Sequence, residues 1–153
     1  MSFRASYSKG MEDQQDSARL ELGSTWGNAQ CLNICEVEQL LKTPYLHGEA
    51  SGQSKPHMEM AFKHARQFGK LKDAQTLHEL RMALDDWEAP SGSGSGPLDS
   101  RLASFEQAQL VNLTPNDAEE AVALIPSLSR FSSVDVSSVL DLLASFMKGS
   151  TSV

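Results

Sequence analysis

The chain has 153 residues, of which 20 are acidic and 13 basic, for a net charge of −7. That length suits one domain with one moderate core, and the acidic balance disfavours a free-standing nucleic-acid binder, because phosphate backbones attract proteins mainly through Lys and Arg. No run approaches bilayer-spanning length and the first residues are polar without an apolar h-region, so neither secretion nor membrane insertion is expected.

Residues 1–18 lack periodicity and are rich in Ser, Gln, Asp and Glu, which predicts a disordered tail until a partner orders it. Leu20-Glu21-Leu22, ahead of Gly23, alternates with period two and could form a short strand or an extended arm. Two leucines cannot hold an isolated strand, so such an arm would add onto a partner. The first helix is expected from Asn33, a good N-cap with Glu36 three residues on in capping-box position. Ile34, Val37, Leu40 and Leu41 would form its apolar face and Pro44 its end. Gly, Ser and Gln between 47 and 56 read as a flexible loop.

A second helix is expected over about 56–69, with Met58, Ala61, Phe62, Ala65 and Phe68 along one face and Gly69 as its stop. A third should run over about 72–87 and bury Leu77, Leu80, Leu84 and Trp87. The Gly-Ser repeat over 90–97 is a flexible linker by composition. Leu98 would open a fourth helix carrying Leu102, Phe105, Ala108 and Leu110. Thr114 is suited to cap the next helix, with Pro115 at its first position, Asp117 and Glu119 in its polarised first turn, and Pro126 stopping it. The last helix should start near Ser132, carry Val136, Val139, Leu140, Leu143 and Phe146, and end at Lys148-Gly149, with 149–153 frayed. The expected fold is therefore all-α: one small helical bundle over 19–148.

Catalytic or metal-binding arrangements are not evident. Cys31 and Cys35 lie four apart, which is not the redox spacing, and His47 and His57 do not complete a zinc set. His64 and His78 lack a partnering carboxylate, and adjacent Glu119 and Glu120 point apart on a helix. The Gly-Ser repeat lacks the Lys and flanking strand of a phosphate-binding loop. The basic group Lys63, Arg66, Lys70 and Lys72 reads as a solvated helix face or a set of salt bridges, with a nucleic-acid contact as the alternative. No enzyme and no cofactor are expected.

One stretch carries more. Phe105-Glu106-Gln107-Ala108-Gln109-Leu110 leads through Asn112-Leu113 and Pro115 into Ala118-Glu119-Glu120-Ala121, then Ala123-Leu124-Ile125-Pro126-Ser127-Leu128. This resembles the C-terminal signature of the family of the fourth, stalk-forming subunit of eukaryotic RNA polymerase II. Val136 to Leu143 is similar to the family's final helix, Asn33 to Leu41 to its first, and Phe62 to Phe68 more loosely to its middle one. The resemblance implies an HRDC-like arrangement of helices and an N-terminal arm reaching a larger, OB-fold-bearing stalk partner. It also implies a heterodimer docked on the polymerase core in the nucleus, acting in initiation and in handling nascent RNA, with most RNA contact made by the partner. The equivalent RNA polymerase III subunit and a free-standing HRDC-like nucleic-acid module are the alternatives. Leu20, Leu22, Leu32, Val37 and Leu41 are the candidate partner interface, with an internal core role equally open to the last three. Phe105, Leu110, Thr114, Pro115, Ala118, Glu119, Leu124, Pro126 and Leu128 are the structural signature.

Overall fold

The computed structural model describes residues 16–23, 29–47, 55–92 and 100–149, apart from the side chains at 43–47, 55 and 149. Among the described residues there are six α-helices: α1 (Ile34–His47), α2 (Lys55–Phe68), α3 (Ala74–Asp85), α4 (Ser104–Leu113), α5 (Ala118–Leu124) and α6 (Ser133–Gly149). Short 3-10 turns cover Ser17–Arg19 and Pro126–Arg130. This is the all-α bundle that the periodicity predicts.

Local chemistry sets the starts of these helices. Asn33 Oδ1 accepts from the Glu36 amide at 3.0 Å while Glu36 Oε2 accepts from the Asn33 amide at 2.8 Å, a complete capping box for α1. Asp73 caps α3 by accepting from the Thr76 amide (2.7 Å) and hydroxyl (2.6 Å). Ser132 and Asp135 exchange the same reciprocal bonds at the head of α6.

The core is one cluster built chiefly by α3, α4 and α6. Leu77, Leu80 and Leu84 enter it from α3, Leu110 and Val111 from α4, and Val136, Val139, Leu140 and Leu143 from α6. Ile125 and Leu128 close it from the segment that follows α5. Trp87 meets Phe131 edge-on at 5.4 Å and donates its indole N–H to Ser138 Oγ at 3.1 Å, so its polar end is satisfied inside the core. α1 packs along α2, and α5 lies against α6.

Gly69 ends α2 by donating to the Ala65 carbonyl at 2.8 Å. A Cβ there would stand 2.8 Å from that oxygen and 3.1 Å from Glu38 Oε2, so a side chain at this position would force the end of α2 to shift.

Several expectations are corrected. Pro44 does not end α1, which continues to His47. A proline in the last turn removes one donor, and the residues after it keep theirs. α4 begins at Ser104, not at Leu98, which lies outside the described residues; Leu102 is buried in the connection ahead of it. Thr114 is not an N-cap. It takes the left-handed conformation (φ 47°) and closes α4 by donating its amide to the Leu110 carbonyl. Pro115 accordingly sits in the turn, and Asp117 caps α5 by accepting from the Glu120 amide at 2.8 Å. Asp wins because its short carboxylate reaches that amide.

The linker does not begin at Pro90. Ser91 donates its amide (2.9 Å) and hydroxyl (2.5 Å) to the buried Asp135 carboxylate, and Ala89 donates to the Ser100 carbonyl at 2.8 Å. The ends of the Gly-Ser segment are thus pinned, and its remainder, 93–99, lies outside the described residues. The tail expected over 1–18 and the loop expected over 47–56 also fall largely outside, although Ser17 and Ala18 belong to the first 3-10 turn. Leu20-Glu21-Leu22 is not extended: Leu20 is left-handed (φ 59°) and Glu21 folds back to pair with Asp16.

Candidate interaction surface

Two regions of the molecule differ in how they place polar and apolar groups. In one, the signature segment closes on itself. Glu106, on the first turn of α4, is wholly buried. Its Oε2 accepts from the Ala103 amide at 2.8 Å and from Arg130 Nη2 at 2.7 Å, and its Oε1 from Ser127 Oγ at 2.6 Å and from Arg130 Nη1. Arg130 also donates to the carbonyls of Ser127 and Arg101, both at 2.9 Å, and its guanidinium lies 4.2 Å from the centre of the Phe131 ring. A buried carboxylate is tolerable only when its oxygens are occupied and a cation faces it, and both conditions hold here.

This clasp joins the two halves of the signature. Leu110 and Leu128 are core residues, and Pro115 is buried in the α4–α5 turn. Phe105 and Ala118 are half-buried, while Glu119 is an exposed first-turn acid. Pro126 starts the 3-10 turn that presents Ser127 and Arg130 to Glu106. Leu124 is 48% exposed, and its neighbour Ile125 takes the core position.

In the other region, α1 and α2 leave apolar surface uncovered. Among the described side chains of α1, Cys35 and Glu38 are buried, Ile34, Val37 and Leu41 are half-buried and Leu40 is 60% exposed. At 100° per residue, Leu40 stands about 140° around the helix from Cys35, close to the opposite side. The sequence-predicted stripe is therefore rotated away from the core, and Leu40 is no part of it. On α2 the same correction applies to Phe68, which is 52% exposed, and to Ala61; only Ala65 is buried, with Met58 and Phe62 half-covered. Met60 is also open to solvent.

Leu32 and Leu40 flank a groove of about 290 Å³ between α1 and α3, lined also by Leu77, Gln39, His78 and Arg81. Arg81 donates to the Cys31 carbonyl at 3.0 Å and faces Glu36 Oε1 at 3.6 Å, which fixes the polar wall of the groove. Of the predicted interface, Leu32, Val37 and Leu41 thus belong to the α1 side. Leu20 and Leu22 lie elsewhere, half-buried beside Leu102, Phe105 and Arg130 in a cleft of about 240 Å³. The structure does not bring the five leucine and valine positions into one patch.

The basic group is largely engaged with its own chain. Lys63 pairs with Glu59 at 2.7 Å and Lys72 with the mostly buried Glu38 at 3.0 Å. Lys70 donates to the Leu113 carbonyl and the Thr114 hydroxyl, holding the end of α4. Cys35 Sγ accepts from the Leu71 amide at 3.4 Å, and Cys31 is half-buried without a disulfide. His64 packs on Phe68 at 4.6 Å, and His78 is exposed on α3. The Asp73 carboxyl is held below its ordinary value by the Thr76 hydroxyl and amide.

Among the described residues the body is all-helical, with Glu106 buried under Arg130 and with Leu32, Leu40, Met60 and Phe68 exposed on or beside α1 and α2. The comparisons with known proteins give its class. The family described as RNA polymerase Rpb4 matches residues 31–147, and the chain belongs to it. It is 26% identical over 122 residues to DNA-directed RNA polymerase II subunit 4 of Arabidopsis thaliana, covering 76% of this chain and 79% of that protein. It is 27% identical over 140 residues to subunit rpb4 of Schizosaccharomyces pombe, covering 88% and 93%, and 24% identical over 159 to that of Dictyostelium discoideum, covering 91% and 93%. The chain is a subunit of the RNA polymerase II type.

Proposed function

We propose that this chain is a non-catalytic stalk subunit of nuclear RNA polymerase II. It pairs with a larger stalk subunit bearing an OB-fold, and the pair docks on the polymerase core to support initiation and the handling of nascent RNA. The observation that carries this reading is the family match across 31–147, which includes the whole Glu106–Arg130 clasp and the α1–α2 surface. Support also comes from the apolar side chains left open on α1 and α2, since burial of such surface drives stable association. The ion pairs of Lys63 and Lys72 argue against a free cationic patch, so RNA contact falls mainly to the partner.

The test is an affinity pull-down of the full chain from its own cells at moderate salt, with recovered proteins identified by mass. Recovery of an OB-bearing partner with the large subunits of RNA polymerase II is the expected result. Recovery of RNA polymerase III subunits would reassign the enzyme served. Recovery of neither from a folded sample would overturn the reading.

A further inference from the structure

We propose that residues 16–23 form a latch, closed in the free subunit, that must open before the N-terminal arm can add to a partner. The inference rests on the partner-pairing reading above and adds a control step to it. An arm that extends a partner's sheet needs an extended backbone with N–H and C=O groups to offer. Here those groups are spent within the turn. Glu21 donates to the Asp16 carbonyl and accepts from the Asp16 amide, both at 2.9 Å, and Leu22 donates to the Leu20 carbonyl at 3.0 Å. Asp16 holds the turn further: its Oδ1 accepts from the Ala18 amide at 2.9 Å, and its other oxygen lies 3.5 Å from Arg19 Nε.

The closed form is also seated on the body. Leu20 and Leu22 line the cleft with Leu102, Phe105 and Arg130, and the first 3-10 turn packs on the second. Two features keep the latch weak enough to open. Leu20 is held at φ 59°, where a leucine is strained, and the Asp16 bonds are exposed to water. Opening relieves that strain and frees both leucines and the backbone of Glu21 together. Apparent affinity for a strand-accepting partner is then reduced by the fraction of subunit whose latch is closed.

Asp16→Ala tests this directly, because it removes the cap and the Arg19 pair while leaving both leucines in place. In the free full-length chain, the Glu21 amide should be protected from hydrogen exchange and should lose protection in Asp16→Ala. Against the OB-bearing partner recovered from the same cells, Asp16→Ala should bind roughly threefold to tenfold more tightly. An unprotected Glu21 amide in the wild-type chain would overturn the closed latch. A freed Glu21 amide with unchanged affinity would overturn its role in pairing. Loss of pairing by the wild-type chain itself would instead overturn the proposed function, and the exchange result would still decide whether the turn is closed.

Discussion

The Glu106–Arg130 clasp and the α1–α2 helices place their charged and apolar side chains differently. Around α4 and the Pro126–Arg130 turn, even a carboxylate is taken wholly inside and every oxygen it offers is used. On α1 and α2, Leu40, Met60 and Phe68 remain in water while Glu38 is turned inward. Hydrophobic periodicity marks a face that wants cover, but not what covers it. Where the chain's own helices supply the cover the face becomes core, and where they do not it stays exposed, as the proposed partner surface requires.

Breaking the clasp should produce the largest effect. Arg130→Ala leaves Glu106 buried without its cation and is expected to destabilise the fold by about 3–5 kcal/mol in urea unfolding. The core beneath it comes next. Leu128→Ala should cost about 2–5 kcal/mol, whereas Leu124→Ala, four residues earlier but exposed, should shift stability by less than about 0.5 kcal/mol. Equal losses from the two would show that the segment is packed differently. Gly69→Ala should cost about 1–3 kcal/mol, since the added methyl meets the Ala65 carbonyl and Glu38.

The smallest effect concerns the exposed cap of α3. The Asp73 carboxyl is held below its ordinary value of 3.8 by Thr76, so its contribution is present above that value and fades as pH falls through the lower folded one. Asp73→Ala should therefore melt below the wild type at neutral pH, and the difference should close once the pH is well under 3.8. A difference that persists unchanged in acid would mean that the carboxylate is not the group responsible.

Much of the fold was legible where one local rule decides the outcome. The Asn33–Glu36 box, the stop before Pro126, and the Val136-Val139-Leu140-Leu143 stripe each follow from residues within a few positions. Legibility failed where two local rules compete or a distant residue decides. Thr114 and Asp117 are both able caps, and Thr114 was drawn into closing α4, where Lys70 from the α2–α3 connection holds it. Ser91 looks like linker until Asp135, 44 positions away, accepts its bonds. Arg130 carries no local signal of its bond to Glu106, 24 positions earlier, so the clasp is not legible although Glu106 lies inside the recognised signature and Arg130 two residues beyond it. Leu40 and Phe68 read as members of apolar helix faces, yet both are exposed, because periodicity marks an apolar face without saying whether the chain itself covers it.

The proposal that apolar side chains exposed on α1 and α2 meet the polymerase stalk partner is tested most directly by repeating the pull-down with Leu40→Ser and Phe68→Ser combined. Leu124→Ser, at an exposed leucine on α5, serves as the control, with melting curves confirming that all three proteins are folded. The account predicts that the α1–α2 variant loses the OB-bearing partner and the polymerase while the Leu124 variant and the wild type retain both. Full recovery by the folded α1–α2 variant would contradict it.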